Sequence, residues 1–170
     1  MSATIRGIKM NGKIFLICGK VCSGKSTLAA LLRASENAVV LSCDEVVFSL
    51  FGEDFGERHE EVTNRVKKYL CKKAAEIAHM GGNVILDWGF WSRTERQHMR
   101  RFFEIGEIRT VLYYVDVTDE EWHRNIKCRN DSVLNGNIAE YYVDAALAEK
   151  SAAQFEIPDE NERAIFHKNY

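Results

Sequence analysis

Proline occurs once in the 170 residues, at Pro158, and no linker long enough to divide the chain is present. Internal repeats and low-complexity stretches are missing too. The sequence therefore predicts one domain over residues 1–170, built around a single core. No apolar run approaches the ~18 residues that a membrane span requires, and Met1–Lys13 lacks the apolar centre of a secretory signal. The five cysteines (Cys18, Cys22, Cys43, Cys71, Cys128) form no CxxC pair and leave an odd count, which argues against a disulfide frame or a zinc site. The five histidines are scattered, with no pair at metal-ligand spacing. Charge of one sign is also scarce. Lys and Arg number 23 against 25 Asp and Glu, a net charge of -2, so nucleic acid or an anionic membrane would have to be met by a local basic patch. These absences predict a cytoplasmic protein with reduced thiols and no membrane attachment, monomeric or weakly homo-oligomeric.

What is present alternates between two periodicities. Ile14–Cys18, Ala38–Cys43, Asn83–Asp87 and Ile108–Val117 are each built on a continuous apolar run, as strands buried on both faces are. Helical spacing runs over Lys25–Ala34 and from Glu57 to Met80, where Gly81-Gly82 ends it. Ser92 with Glu95, and Thr118 with Glu121, have the spacing of capping boxes; they open helices to about Ile105 and through Arg129. A polar loop, DSVLNGN, precedes a further helix from about Ile138 to Gln154, and a last short strand falls near Arg163–His167. Strands separated by helices predict a three-layer α/β/α domain with a parallel sheet.

Between the first strand and the first helix stands GKVCSGKST, in which Gly19, Gly24, Lys25 and Ser26 fit the Walker A phosphate loop without a mismatch. Glycines let consecutive backbone N–H groups approach a β-phosphate, and the next helix points its positive end at the anion. The cradle comprises Gly19, Val21, Cys22, Ser23, Gly24, Lys25, Ser26 and Thr27. Lys25 would reach the β- and γ-phosphates and Ser26 would hold Mg²⁺, so the chain is expected to bind ATP or another nucleoside triphosphate. Cys22 lies near a helix N-terminus, where a thiol gains acidity, although a small residue fitting a tight loop accounts for it as well.

Other residues choose among the users of such a loop. The guanine motif N/T-K-x-D does not occur. Asp44 ends the second strand, where a carboxylate can orient an acceptor hydroxyl and take its proton; a helix N-cap is the alternative role. Asp87 ends the third strand, in the Walker B arrangement that binds Mg²⁺. Arg124 and Arg129 precede the polar loop and suit a lid over about residues 124–140, with a solvated basic helix face as the bland alternative. Trp88, Phe90 and Trp91 could stack on a ring-shaped acceptor or pack a helix against the sheet. Arg93 and Arg96 could meet a phosphate, whereas Arg100 reads as a surface charge.

GKVCSGKST, the strand end at Asp44, VILDWGFWSRTER and WHRNIKCRN together resemble the small P-loop kinase-like ATP-binding proteins. These are relatives of polynucleotide kinase, chloramphenicol phosphotransferase and zeta toxin, within the nucleoside monophosphate kinase-like fold. The resemblance covers roughly residues 12 to 130 and, more loosely, FEIPDENE. It implies a strand order of 2-3-1-4-5, Lys25 and Ser26 on phosphate and Mg²⁺, Asp44 on the acceptor hydroxyl, and Arg124 and Arg129 in the lid. Relatives often carry Pro-Gly where this chain has Val21-Cys22. Polynucleotide-type kinases often place arginine three residues after the strand-end aspartate, where this chain has Val47. The expectation is an ATP- and Mg²⁺-dependent phosphotransferase for a hydroxyl of a small molecule. A 5′-hydroxyl polynucleotide kinase is the second reading, and a nucleotide-dependent switch without an acceptor the third.

Overall fold

The computed structural model describes residues 11–51, 58–136 and 142–168. Five strands, β1 (Lys13–Cys18), β2 (Ala38–Ser42), β3 (Asn83–Asp87), β4 (Arg109–Asp116) and β5 (Ile165–Lys168), form one sheet in the order β2-β3-β1-β4-β5. Every pairing is parallel; Leu16 stands opposite Leu86 on one side and Leu112 on the other. This is the order that the resemblance implied.

The layers follow from β1 and β3, which have apolar side chains on both faces and need cover on each. Ile14, Leu16 and Cys18 cluster with Leu70, Cys71, Ala74 and Ala78 of α3 (His59–His79), with Cys43 and Val47 of α2 (Cys43–Phe51), and with Phe103 of α4 (Arg93–Ile105). The alternate residues Phe15 and Ile17 cluster on the opposite face with Leu28, Ala29 and Leu32 of α1 (Lys25–Ser35). Leu16 and Leu86 are fully buried, and each such side chain contributes roughly 1.5–3 kcal/mol relative to exposure. Two further helices, α5 (Asp119–Leu134) and α6 (Ala145–Gln154), complete the set. No described helix is long and apolar enough to cross a membrane.

Several boundaries differ from those expected. β2 stops at Ser42, because Ser42 Oγ accepts the N–H of Glu45 and starts α2 at once. α5 continues through DSVL to Leu134, so the expected loop is helical over its first four residues; the lid positions 137–140 and the start expected for the last helix lie outside the described residues. α6 begins at Ala145, where Asp144 Oδ1 accepts the N–H of Leu147. Ser92 and Thr118 cap α4 and α5 as expected, but the Glu95 carboxylate pairs with Lys67. A reciprocal capping box forms instead between Asp159 and Glu162, around the 3₁₀ turn Glu160–Glu162.

Candidate active site

The central strand β1 ends at the buried Cys18 and delivers the glycine loop to the start of α1. Two residues of that loop take the left-handed region, Cys22 with φ 57° and Gly24 with φ 100°. Gly24 precedes α1 without a side-chain cap, so the first N–H groups of the helix are left to face whatever the loop encloses. Gly19 is needed for space: a Cβ there would lie 2.5 Å from Ser23 Oγ. Lys25 arches back over the loop, its Nζ donating to the carbonyls of Lys20 at 2.7 Å and Gly19 at 3.2 Å. Burial lowers the Lys25 pKa from its usual value, while Asp87, Cys22 and Asp44 pull it back up. Ser26 and Thr27 are exposed on the first turn.

The charges of Asp87, at the end of β3, and of Asp44, in the first turn of α2, therefore both favour the Lys25 ammonium. Ser42 and Asp87 are register partners in β2 and β3, which brings the start of α2 beside the end of β3. Asp44 is exposed in the first turn of α2, and Ser42 takes the capping role, so the N-cap alternative for Asp44 is not what the structure adopts.

The loop is braced from α5 and α6. Trp122 Nε1 donates to the carbonyl of Val21 at 2.6 Å, Asn125 Nδ2 to that of Cys22 at 3.1 Å, and the Val21 N–H to Ser151 Oγ at 2.8 Å. Val21, expected among the phosphate-facing amides, has its N–H committed to Ser151 and is corrected to a brace. Arg129 Nη1 lies 4.0 Å from Cys22 Sγ. Trp122, Asn125 and Arg129 stand at i, i+3 and i+7, one face of α5 turned to the loop. Arg124 lies off that face, its side chain 62% exposed and 3.4 Å from Glu121, so of the two arginines expected in the lid Arg129 is the one turned to the loop. The roles of Trp122, Asn125 and Ser151 were not read from the sequence; the spacing of the first two with Arg129 carried the signal.

The segment after Asp87 corrects three more expectations. Trp88 and Phe90 are 3% and 0% exposed within the core, their ring centroids 5.1 Å apart, so neither ring presents an open face for stacking. Trp91 is partly buried. Arg96 is fully buried: its Nε and Nη2 each lie 2.7 Å from a Glu162 carboxylate oxygen, and its Nη1 donates to the carbonyls of Phe90 and Trp91. Such a guanidinium is a structural tie and not a phosphate ligand. Arg93 pairs with Asp159 at 2.7 Å while its N–H donates to the Glu156 carboxylate, and Arg100 reaches the Glu162 carbonyl. Residues 156–162 thus strap the segment that follows Asp87.

The amides around Cys22 and Gly24, with the uncapped start of α1, suit a phosphate chain, and the oxygen donors of Ser26 and Asp87 suit a hard divalent cation. Among the described residues no three His, Cys, Asp or Glu side chains gather as a metal cage, so a cation here would take its other ligands from phosphate and water.

Comparison with known proteins bears on this arrangement. A family profile described as AAA domain matches residues 14–157. No curated protein sequence matches the chain. Among solved structures, a provisionally assigned kinase from Chloroflexus aurantiacus j-10-fl is similar at a TM-score of 0.71 with 19% identity, over 96% of this chain and 86% of that one. The Pnkp1/Rnl/Hen1 RNA repair complex contains a chain similar at a TM-score of 0.68 with 22% identity, over 90% of this chain and 46% of that one. A gluconokinase from Sinorhizobium meliloti 1021 gives a TM-score of 0.63 with 11% identity, over 94% and 83%. Identities this low speak for the fold.

Proposed function

The chain belongs to the AAA domain family, with a P-loop kinase-like fold, and from that membership we propose that it is an ATP- and Mg²⁺-dependent phosphotransferase acting on a hydroxyl of a small molecule. The observation that carries this reading is the phosphate loop at the carboxyl end of β1, with Lys25 folded over its carbonyls, beside the Ser42–Asp87 register pair that sets Asp44 in the first turn of α2 next to the end of β3. A binding loop alone would need the lysine; a base beside it is what transfer to a hydroxyl needs.

In the proposed reaction the amides of residues 22–27 and Lys25 hold the triphosphate. Ser26 and Asp87 would hold Mg²⁺, which offsets charge on the phosphates when bound. Asp44 orients the acceptor hydroxyl and takes its proton as the oxygen bonds to the γ-phosphorus. The bond from that phosphorus to the bridging oxygen breaks, and ADP leaves. Lys25, released from the Gly19 and Lys20 carbonyls, and Arg129 offset the charge that gathers on the transferring group. The α5 segment that carries Arg129, with the residues beyond it to about 140, is the proposed lid.

The test uses γ-labelled ATP with Mg²⁺ and either a desalted small-metabolite extract or 5′-hydroxyl oligonucleotides. Label on a small metabolite is the expected result. Label on the oligonucleotide would establish the polynucleotide reading instead. Slow release of inorganic phosphate in both tubes would favour a nucleotide-dependent switch.

A further inference from the structure

The phosphoryl-transfer roles leave unused a group of side chains beside Asp44 and Asp87. Thr63 and Lys67 stand one turn apart on the α3 face that carries the buried Leu70, Cys71 and Ala74. The Thr63 carbonyl accepts the thiol of Cys43, the residue before Asp44, at 3.8 Å. Lys67 Nζ is 2.7 Å from Glu95 Oε1 and 5.8 Å from the ring centroid of Trp88, the residue after Asp87. The charges of Asp44, Lys67 and Glu95 all reach the Cys43 thiol. α2, α3, α4 and the end of β3 therefore meet at one place.

Two uncharged donors in this group, Thr63 Oγ1 and Trp88 Nε1, are buried with no hydrogen-bond partner among the described residues. Leaving such a group unsatisfied costs about 1–3 kcal/mol, which a ligand oxygen would recover. The Lys67–Glu95 pair keeps roughly a quarter to a third of its side-chain surface exposed, at 26% and 30%.

Lys25 and Arg129 are assigned to the triphosphate, and the described cations nearest this group are paired: Lys67 with Glu95, Arg93 with Asp159 and Arg96 with Glu162. The sequence segments 52–57 and 137–141 contain no Lys or Arg. A phosphomonoester could accept from the two donors, but its charge would face Asp44, Asp87 and Glu95. A hydroxyl donates and accepts at once, so it can bridge Lys67 and Glu95 without adding charge.

We propose that the junction of α2, α3, α4 and the end of β3 opens to bind the phosphate acceptor and that the acceptor is an uncharged, hydroxyl-rich small molecule. The inference rests on the phosphotransferase reading above and adds the acceptor's class and the residues that recognise it.

A low-molecular-mass cell extract, cleared of cations on a cation exchanger and then separated on an anion exchanger, tests it. The neutral flow-through and the eluted anions are each incubated with the full chain, Mg²⁺ and γ-labelled ATP. The flow-through should yield at least about tenfold more acid-stable phosphoester, the factor that 1.4 kcal/mol of discrimination supplies. Label confined to the eluted anions would overturn the acceptor class while leaving phosphotransfer intact, and inorganic phosphate alone in both would remove both readings. Thr63→Val, which keeps the side-chain shape, should raise the amount of flow-through needed for half-maximal rate about tenfold with the KM for ATP unchanged, and Thr63→Ser should restore it. An unchanged acceptor requirement in Thr63→Val would overturn this junction as the binding site.

Discussion

Lys25 donates to two loop carbonyls that carry no information about phosphate, and burial lowers its pKa while Asp87, Cys22 and Asp44 oppose that shift. Lys25→Ala should lower single-turnover transfer by about 10²–10³-fold or more, read as labelled product per enzyme. The thiols give a second prediction at this scale. Burial pushes Cys18 and Cys43 up from 9.0 to about 12 and Cys71 to about 11, so the folded chain holds these protons more tightly than the unfolded one. Their contribution to stability is complete below pH 9 and is lost as pH rises toward 12, which thermal melts across that window should register as a falling Tm. Cys22 and Cys128 are the thiols with solvent access, so a thiol reagent should label these two first, and ATP should slow the labelling of Cys22.

Helix α5 shows how an element sorts residues that look alike in sequence. Arg124 and Arg129 are both basic and five residues apart, yet only Arg129 shares the face on which Trp122 and Asn125 grip the loop. Arg129→Ala should reduce kcat about 10²–10³-fold, whereas Arg124→Ala should stay within about twofold of the parent. The i, i+3, i+7 spacing that makes this distinction was legible in the sequence; the helical state of DSVL was not, because its polar residues give no apolar stripe. The partners of Arg93 and Arg96 were hidden for another reason. Their spacing fits a solvent or phosphate face, and the carboxylates that engage them come from residues 156–162, some 66 residues away for Arg96 and Glu162. Local pattern cannot report a partner at that separation. Glu162→Ala leaves Arg96 buried without its counter-charge and should cost about 3–5 kcal/mol in denaturant unfolding, and Arg96→Met combined with Glu162→Leu should recover most of it.

The whole molecule is a parallel sheet whose order sets two adjacent strand ends, β1 and β3, beside each other, with β2 next in line. Continuous apolar runs in those strands made the layers readable, since a strand buried on both faces has no polar side to display. The order itself came from the resemblance, because periodicity says nothing about which strands pair. The phosphate loop was readable from spacing, and its bracing by Ser151 was not, since α6 lies 130 residues from Val21 in the chain. The small-molecule reading also belongs to this scale: a net charge of -2 and arginines engaged by the C-terminal strap leave little for a polyanionic acceptor. The most direct measurement compares the parent chain and Asp44→Asn, following γ-labelled ATP in a single turnover with the small-metabolite extract and measuring ATP affinity in parallel. The account predicts acid-stable product in the parent, about 10²–10⁴-fold slower transfer in Asp44→Asn, and an ATP Kd within about twofold between them. Equal loss of binding and transfer in Asp44→Asn, or inorganic phosphate as the sole labelled product of the parent, would contradict it.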